Sequence, residues 1–173
     1  MLHNELETLL NIQINKELFA SYQYLSISSY LKQSSIGLSN LSNYFKGESD
    51  NERKHAQMLI DYMISRGSKL DLQEIKIPCS DFSKENIAHD ILFIFEKSLH
   101  LETEVNEHLK LISNKSDDLN DSNLNDFITS NFLSEQIEAE YELNQYLTKL
   151  RMIISDSNAN LGILWFDKEF SNH

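Results

Sequence analysis

Five side chains able to ligate a metal or to hold a ligand in place interrupt apolar stripes at helical spacing: Glu17, Glu52, His55, Glu102 and Gln136. Leu10, Ile14, Ala20, Tyr24 and Leu31 share one side of a 3.6-residue period, and Glu17 lies in the middle of that side. Leu41, Phe45, Ala56, Leu59 and Met63 form a stripe that also carries Glu48, Glu52 and His55. Ile91, Phe95, Leu99, Val105 and Leu109 surround Glu102. Ile128, Phe132, Leu143, Leu147 and Leu150 surround Gln136, with Ala139 and Glu140 close by. A lone Glu on such a stripe is more often a long side chain reaching solvent. Coincident breaks near the middle of four stripes call for a common cause.

Helices of similar length in a bundle have their centres at one level whichever way each runs, so these five residues should converge. Three carboxylates buried together would be desolvated and would repel one another until protonated. A divalent cation removes both penalties. Glu52 and His55 form a Glu-x-x-His pair one turn apart, and carboxylates with imidazole around two ions is the arrangement of di-iron carboxylate bundles. Tyr24, two turns from Glu17, faces the same centre, either as a core tyrosine with a satisfied hydroxyl or in a redox or hydrogen-bonding role. Glu48 and Glu140 read as auxiliary ligands or as the rim of a water-filled space.

Four long helical segments must position these groups, over 4–33, 38–66, 84–114 and 120–150, with a short fifth over 158–167 that has Trp165 and Phe166 to bury. Asn4 with Glu7 reads as a capping box for the first, Ser83 as the cap of the third, and Gly67 as the stop of the second. Residues 115–119 read as a polar connection. The 17 residues from Gly67 to Ser83, which include Pro78, can extend about 55 Å against roughly 45 Å for a thirty-residue helix. Two antiparallel helix pairs joined by one long crossover are therefore expected, in a single all-α domain spanning 1–173.

Composition narrows the function. The 173 residues carry 27 acidic and 15 basic side chains, a net charge of −12, which disfavours nucleic acid and favours cations as partners. Four Gly and one Pro are too few turn residues for an all-β chain. The one cysteine, Cys79, can form neither an internal disulfide nor a zinc ribbon, so a cytoplasmic location is expected. The longest apolar run, 91–95, is far too short for a membrane span, and Glu5 and Glu7 break any signal-peptide pattern.

KELFASYQY at 16–24, NERKHA at 51–56, LHLE at 99–102 and FLSEQI at 132–137 together resemble the non-haem ferritins, in family order. The terminal LWFDKEFS is similar to the tail of the bacterial members. The resemblance implies a ferritin-like four-helix bundle with a short fifth C-terminal helix, and a ferroxidase centre of two iron ions per subunit. Its residues would be Glu17, Glu52, His55, Glu102 and Gln136, with Glu52 bridging the ions. It implies Fe(II) and dioxygen or hydrogen peroxide as reactants, and a homo-oligomeric hollow shell of 24 subunits storing ferric oxyhydroxide. Ala139 stands where a second Glu-x-x-His would place its histidine, so no haem is expected.

Departures from the pattern are equally specific. Bacterial relatives place acids at the positions of Asn51 and Ala139 to hold a third iron; only Glu135 and Glu138 match that site here. Lys54 and Gln57 replace inner-surface acids of animal heavy chains. At the three-fold channel Asp126 matches a family carboxylate and Thr129 does not. The alternatives are a di-iron oxidase or peroxidase on the same bundle without iron storage, which needs a substrate-sized pocket at the metals, and a metal-free structural bundle. A DNA-protecting miniferritin ranks below these, since the chain has no basic tail.

Overall fold

The computed structural model describes residues 2–172. In chain order they form α1 (Asn4–Leu31), α2 (Ser39–Ser65), α3 (Ile87–Asp118), α4 (Ser122–Ile128), a π-helical segment (Thr129–Leu133), α5 (Ser134–Ile154) and α6 (Ala159–Glu169), with no strand among the described residues. The fourth rod of the bundle is thus α4, the π segment and α5 end to end, not the unbroken helix that periodicity predicts. No helix among the described residues is long and apolar enough to cross a membrane.

Side-chain pairs fix the directions. Ser21 and Ser49 each donate to the other's backbone carbonyl at 2.7 Å, and Ser28 and Ser42 repeat the exchange, so α1 and α2 run antiparallel at the close approach that small residues permit. The crossover then returns along α1. Asn11 donates to the Lys69 carbonyl, Asn15 to the Glu74 carbonyl, and Gln23 both donates to the Cys79 carbonyl and accepts from its N–H. Amide side chains on α1 thus satisfy a non-helical backbone that has no ladder of its own. The predicted crossover is present.

Helix ends differ from the sequence reading, each for a local reason. His3, not Asn4, caps α1 through its ring nitrogen, and Glu7 turns outward to accept from the Lys69 N–H. Asn86, not Ser83, caps α3, accepting from Ala88 and His89 N–H. We predict that Asn86→Ala lowers stability by about 1 kcal/mol, read as a shifted denaturation midpoint, and by more than Ser83→Ala, which removes a contact to Tyr30 but no cap. Residues 115–118 belong to α3, because Asn120 takes the left-handed conformation (φ 55°) and closes the helix with bonds from Asp121 N to Ser116 O and from Asn120 N to Asp117 O. Gly67 (φ 70°) ends α2 by the same pattern.

Every apolar stripe residue named from periodicity is buried, apart from Leu99, which is partly buried. Phe166 is buried, but Trp165 is 59% exposed and does not join the core, because α6 lies over the bundle with Phe166 and Phe170 inward. The core divides in two. One apolar cluster holds Ala20, Tyr24, Phe45, Phe95 and Leu143, the other Leu10, Ile14, Ala56, Val105 and Phe132. Between them lies a polar layer.

Candidate metal centre

That layer is built from the middles of four helices. Glu17 on α1, Glu52 on α2, Glu102 on α3 and Gln136 on α5 are each no more than 5% exposed. Glu52 and His55 project from one face of α2 a turn apart, with His55 Nδ1 3.3 Å from Glu52 Oε2. Glu17, Glu52 and His55 each offer a ligand atom within 4.8 Å of the others. Beside them Glu102 is held at both oxygens, Oε1 accepting from the Tyr24 hydroxyl and Oε2 from Gln136 Nε2 at 2.9 Å. Gln136 also donates to the Glu102 carbonyl at 3.1 Å. The Tyr24 hydroxyl is thus satisfied by Glu102, beside the group.

The electrostatics are those of a site awaiting positive charge. Burial raises the pKa of Glu17 well above the carboxylate range, and the neighbouring Glu52 raises it further. Glu52 is raised by burial and then by the charge of Glu102, and Glu102 is raised by burial against the hydrogen bonds of Tyr24 and Gln136. Burial likewise pushes Glu48 up to about 7. Glu17 Oε2 is buried with no donor aimed at it. Three carboxylates, one of them with an orphaned oxygen, and one imidazole in a desolvated layer fit a divalent iron ion, whose ligand preference spans oxygen and imidazole nitrogen. Buried charge of one sign is otherwise costly enough to shift protonation.

The remaining candidates distribute unevenly. Glu135 reaches the group, its Oε2 3.2 Å from His55 Nε2 although its side chain is half exposed. Glu48 lines a cavity of about 20 Å³ with Tyr24, Glu102, Ala139 and Glu142, room for one water. Asn51 donates toward Glu48 at 3.5 Å. Glu140 accepts from Asn106 and its charge bears on Glu102, and Glu138 is exposed. Asp126 sits on α4, exposed, accepting from Ser130, and Thr129 lies in the π segment. Lys54 and Gln57 are exposed on α2.

Periodicity missed three residues. Gln13 donates to Glu17 Oε1 at 2.7 Å, His108 Nδ1 lies 2.7 Å from Gln13 Oε1, and buried Asn106 donates to Glu140. Gln13 and Asn106 stand four residues from Glu17 and Glu102, so one further step along each stripe would have found them. The π segment is also placed to matter: Phe132 within it packs edge-on against the His55 ring at 5.5 Å, just before Gln136. Such insertions change the facing of the residues after them and cluster at functional sites.

The chain is also similar to known proteins. A family model described as a ferritin-like domain matches residues 7–153. A chloroplastic ferritin of Phaseolus vulgaris is 39% identical over 150 residues, covering 87% of this chain and 59% of the relative. Ferritin-3, chloroplastic, of Glycine max is 37% identical over 150 residues, covering 87% and 58%. The chain thus spans about three-fifths of the length of these curated relatives.

Proposed function

The chain belongs to the ferritin family, and on that premise we propose that it is an iron-storage subunit that oxidises Fe(II) at the buried centre of its bundle. The observation that carries the reading is the Glu17, Glu52 and His55 group, closed on its other side by Glu102 and Gln136 and left with an unsatisfied buried oxygen on Glu17. Two Fe(II) ions would be the substrate, with Glu52 between them, Glu17 and His55 on one side and Glu102 on the other. Carboxylate oxygens favour Fe(III) over Fe(II), which assists loss of one electron from each ion. Two neighbouring ions thereby supply the two electrons, with two protons from water, that convert dioxygen to hydrogen peroxide or peroxide to water. Tyr24 and Gln136 hold Glu102 in place, and the apolar clusters above and below exclude bulk water.

Storage follows as a second part of the proposal: a shell of 24 copies holding ferric oxyhydroxide. Large apolar side chains stay exposed on the single chain, among them Leu72 and Ile77 on the crossover, Leu25 on α1, and Leu161 and Trp165 on α6. Patches of this kind favour burial against other copies. A reducing aqueous compartment such as the cytoplasm fits a chain with one thiol. An oxidase acting on an organic molecule would need space at the metals, and the cavity bordering Glu102 accommodates a water.

Anaerobic titration of metal-free protein with Fe(II), followed by air and by particle mass, tests both parts. Saturation near two irons per chain, fast oxidation and a large particle retaining many more irons are expected. Oxidation without retention would remove storage. Absence of binding would remove the centre.

A further inference from the structure

Resting on the metal site proposed above, we infer that His108, acting through Gln13, selects which oxygen of Glu17 is presented to the metal. His108 on α3 and Gln13 on α1 are joined by a 2.7 Å contact between Nδ1 and Oε1, and Gln13 Nε2 lies 2.7 Å from Glu17 Oε1. The polarity of this chain follows from its metal end. With a metal bound, the Glu17 carboxylate is ionised and can only accept, so the NH₂ of Gln13 must face Glu17, its carbonyl must face His108, and Nδ1 must carry a proton. His108 is suited to that tautomer: burial, then the nearby Lys16, lowers its pKa to about 4, leaving a neutral ring at physiological pH with one N–H to place.

Gln13 is fully buried, so water cannot take over either of its contacts. Its amide is nearly symmetric in shape, and the carboxylate at one end and the imidazole N–H at the other together select the orientation that donates to Glu17. With the donor present, Glu17 Oε1 is engaged, and Oε2, buried and without a donor, is the oxygen free to ligate. Without it, the buried Gln13 carbonyl has no donor and the amide is held at its Glu17 end alone, so Oε1 is engaged less firmly. His108 touches no metal; it is a positioning residue, and it confines Glu17 to one-oxygen ligation. Partners of this kind fix ligand orientation, and their loss typically costs 10–100-fold in metal affinity.

Co(II), which binds oxygen and imidazole ligands and is not oxidised by air under mild conditions, is the probe. The assembled protein is titrated with it and followed by its visible d–d absorption. We expect His108→Leu and Gln13→Leu each to weaken one Co(II) site by about 10–100-fold and to alter its band, with particle mass unchanged. His108→Asn can set an N–H where Nδ1 stood and should recover most of the affinity and the wild-type band. Wild-type affinity and spectrum in His108→Leu would overturn the inference while leaving the metal site standing. Equal losses in His108→Leu and His108→Asn would also overturn it, since packing alone would then explain the residue. If His108→Leu fails to assemble, Gln13→Leu against His108→Asn makes the same comparison. Should the wild type show no Co(II) binding that Glu52→Ala removes, the metal-site reading itself fails.

Discussion

Glu52→Ala reduces the initial rate of Fe(II) oxidation by more than about 100-fold while leaving helix content and particle mass as they are. The expectation rests on where Glu52 sits. It shares a ligand group with Glu17 and His55 and lies close enough to Glu102 for that charge to raise its pKa, so it faces both halves of the centre. Loss of a partner that merely orients a ligand costs 10–100-fold; loss of the carboxylate between two ions removes a ligand from each. The fold tolerates the change because Glu52 makes no bond to a neighbouring helix that the fold requires. Its short contacts are to His55 on the same helix and to Glu17 on α1, both within the centre itself. Stopped-flow absorbance after mixing with air-saturated buffer gives the rate, and light scattering gives the mass. Undiminished oxidation in that variant would refute the site assignment.

Much of this centre was legible because helical chemistry repeats at a fixed period. Glu17, Glu52, His55, Glu102 and Gln136 stood out as polar breaks at a common level, and the structure places them in one layer between two apolar clusters. Caps were less legible, because capping depends on the φ and ψ of one residue. Asn86 and Ser83 are chemically alike as caps, and only the path of the crossover decides between them. The π segment could not be read at all. Its sequence, TSNFL, carries no period of its own, and the extra residue is paid for by tertiary packing of Phe132 on His55 and Phe127. The exposure of Trp165 escaped for a different reason: an apolar residue on a short helix has two candidate partners, the bundle or another copy, and the pattern does not rank them.

Buried carboxylates that await a cation should make the metal-free protein less stable than it could be, and Glu17→Gln tests this directly. Burial and the charge of Glu52 raise the pKa of Glu17 in the folded chain. Below the ordinary carboxylate range both folded and unfolded states carry the proton, and the group contributes no pH dependence. As pH rises past that range, the unfolded state releases its proton while the folded state keeps it, so stability falls by up to about 1.4 kcal/mol per pH unit for each such group. The decline ends once pH exceeds the raised folded value. Glu52 and Glu102 shift in the same direction, and Glu48 adds a window ending at about 7. Glutamine at position 17 has no proton to lose, and its amide can donate to Glu52 as the protonated acid does. In chelator, we therefore expect Glu17→Gln to match the wild type near pH 4 and to melt several degrees higher at pH 8, at about 2–4 °C per kcal/mol. Saturating Zn(II) should reverse the order, because a ligand at a hundred times its dissociation constant adds about 2.7 kcal/mol to the protein that binds it and little to the variant. Scanning calorimetry across that pH range measures both effects. Parallel curves for the two proteins would mean that Glu17 is not strained by its burial, and that the centre is held open by something other than unbalanced charge.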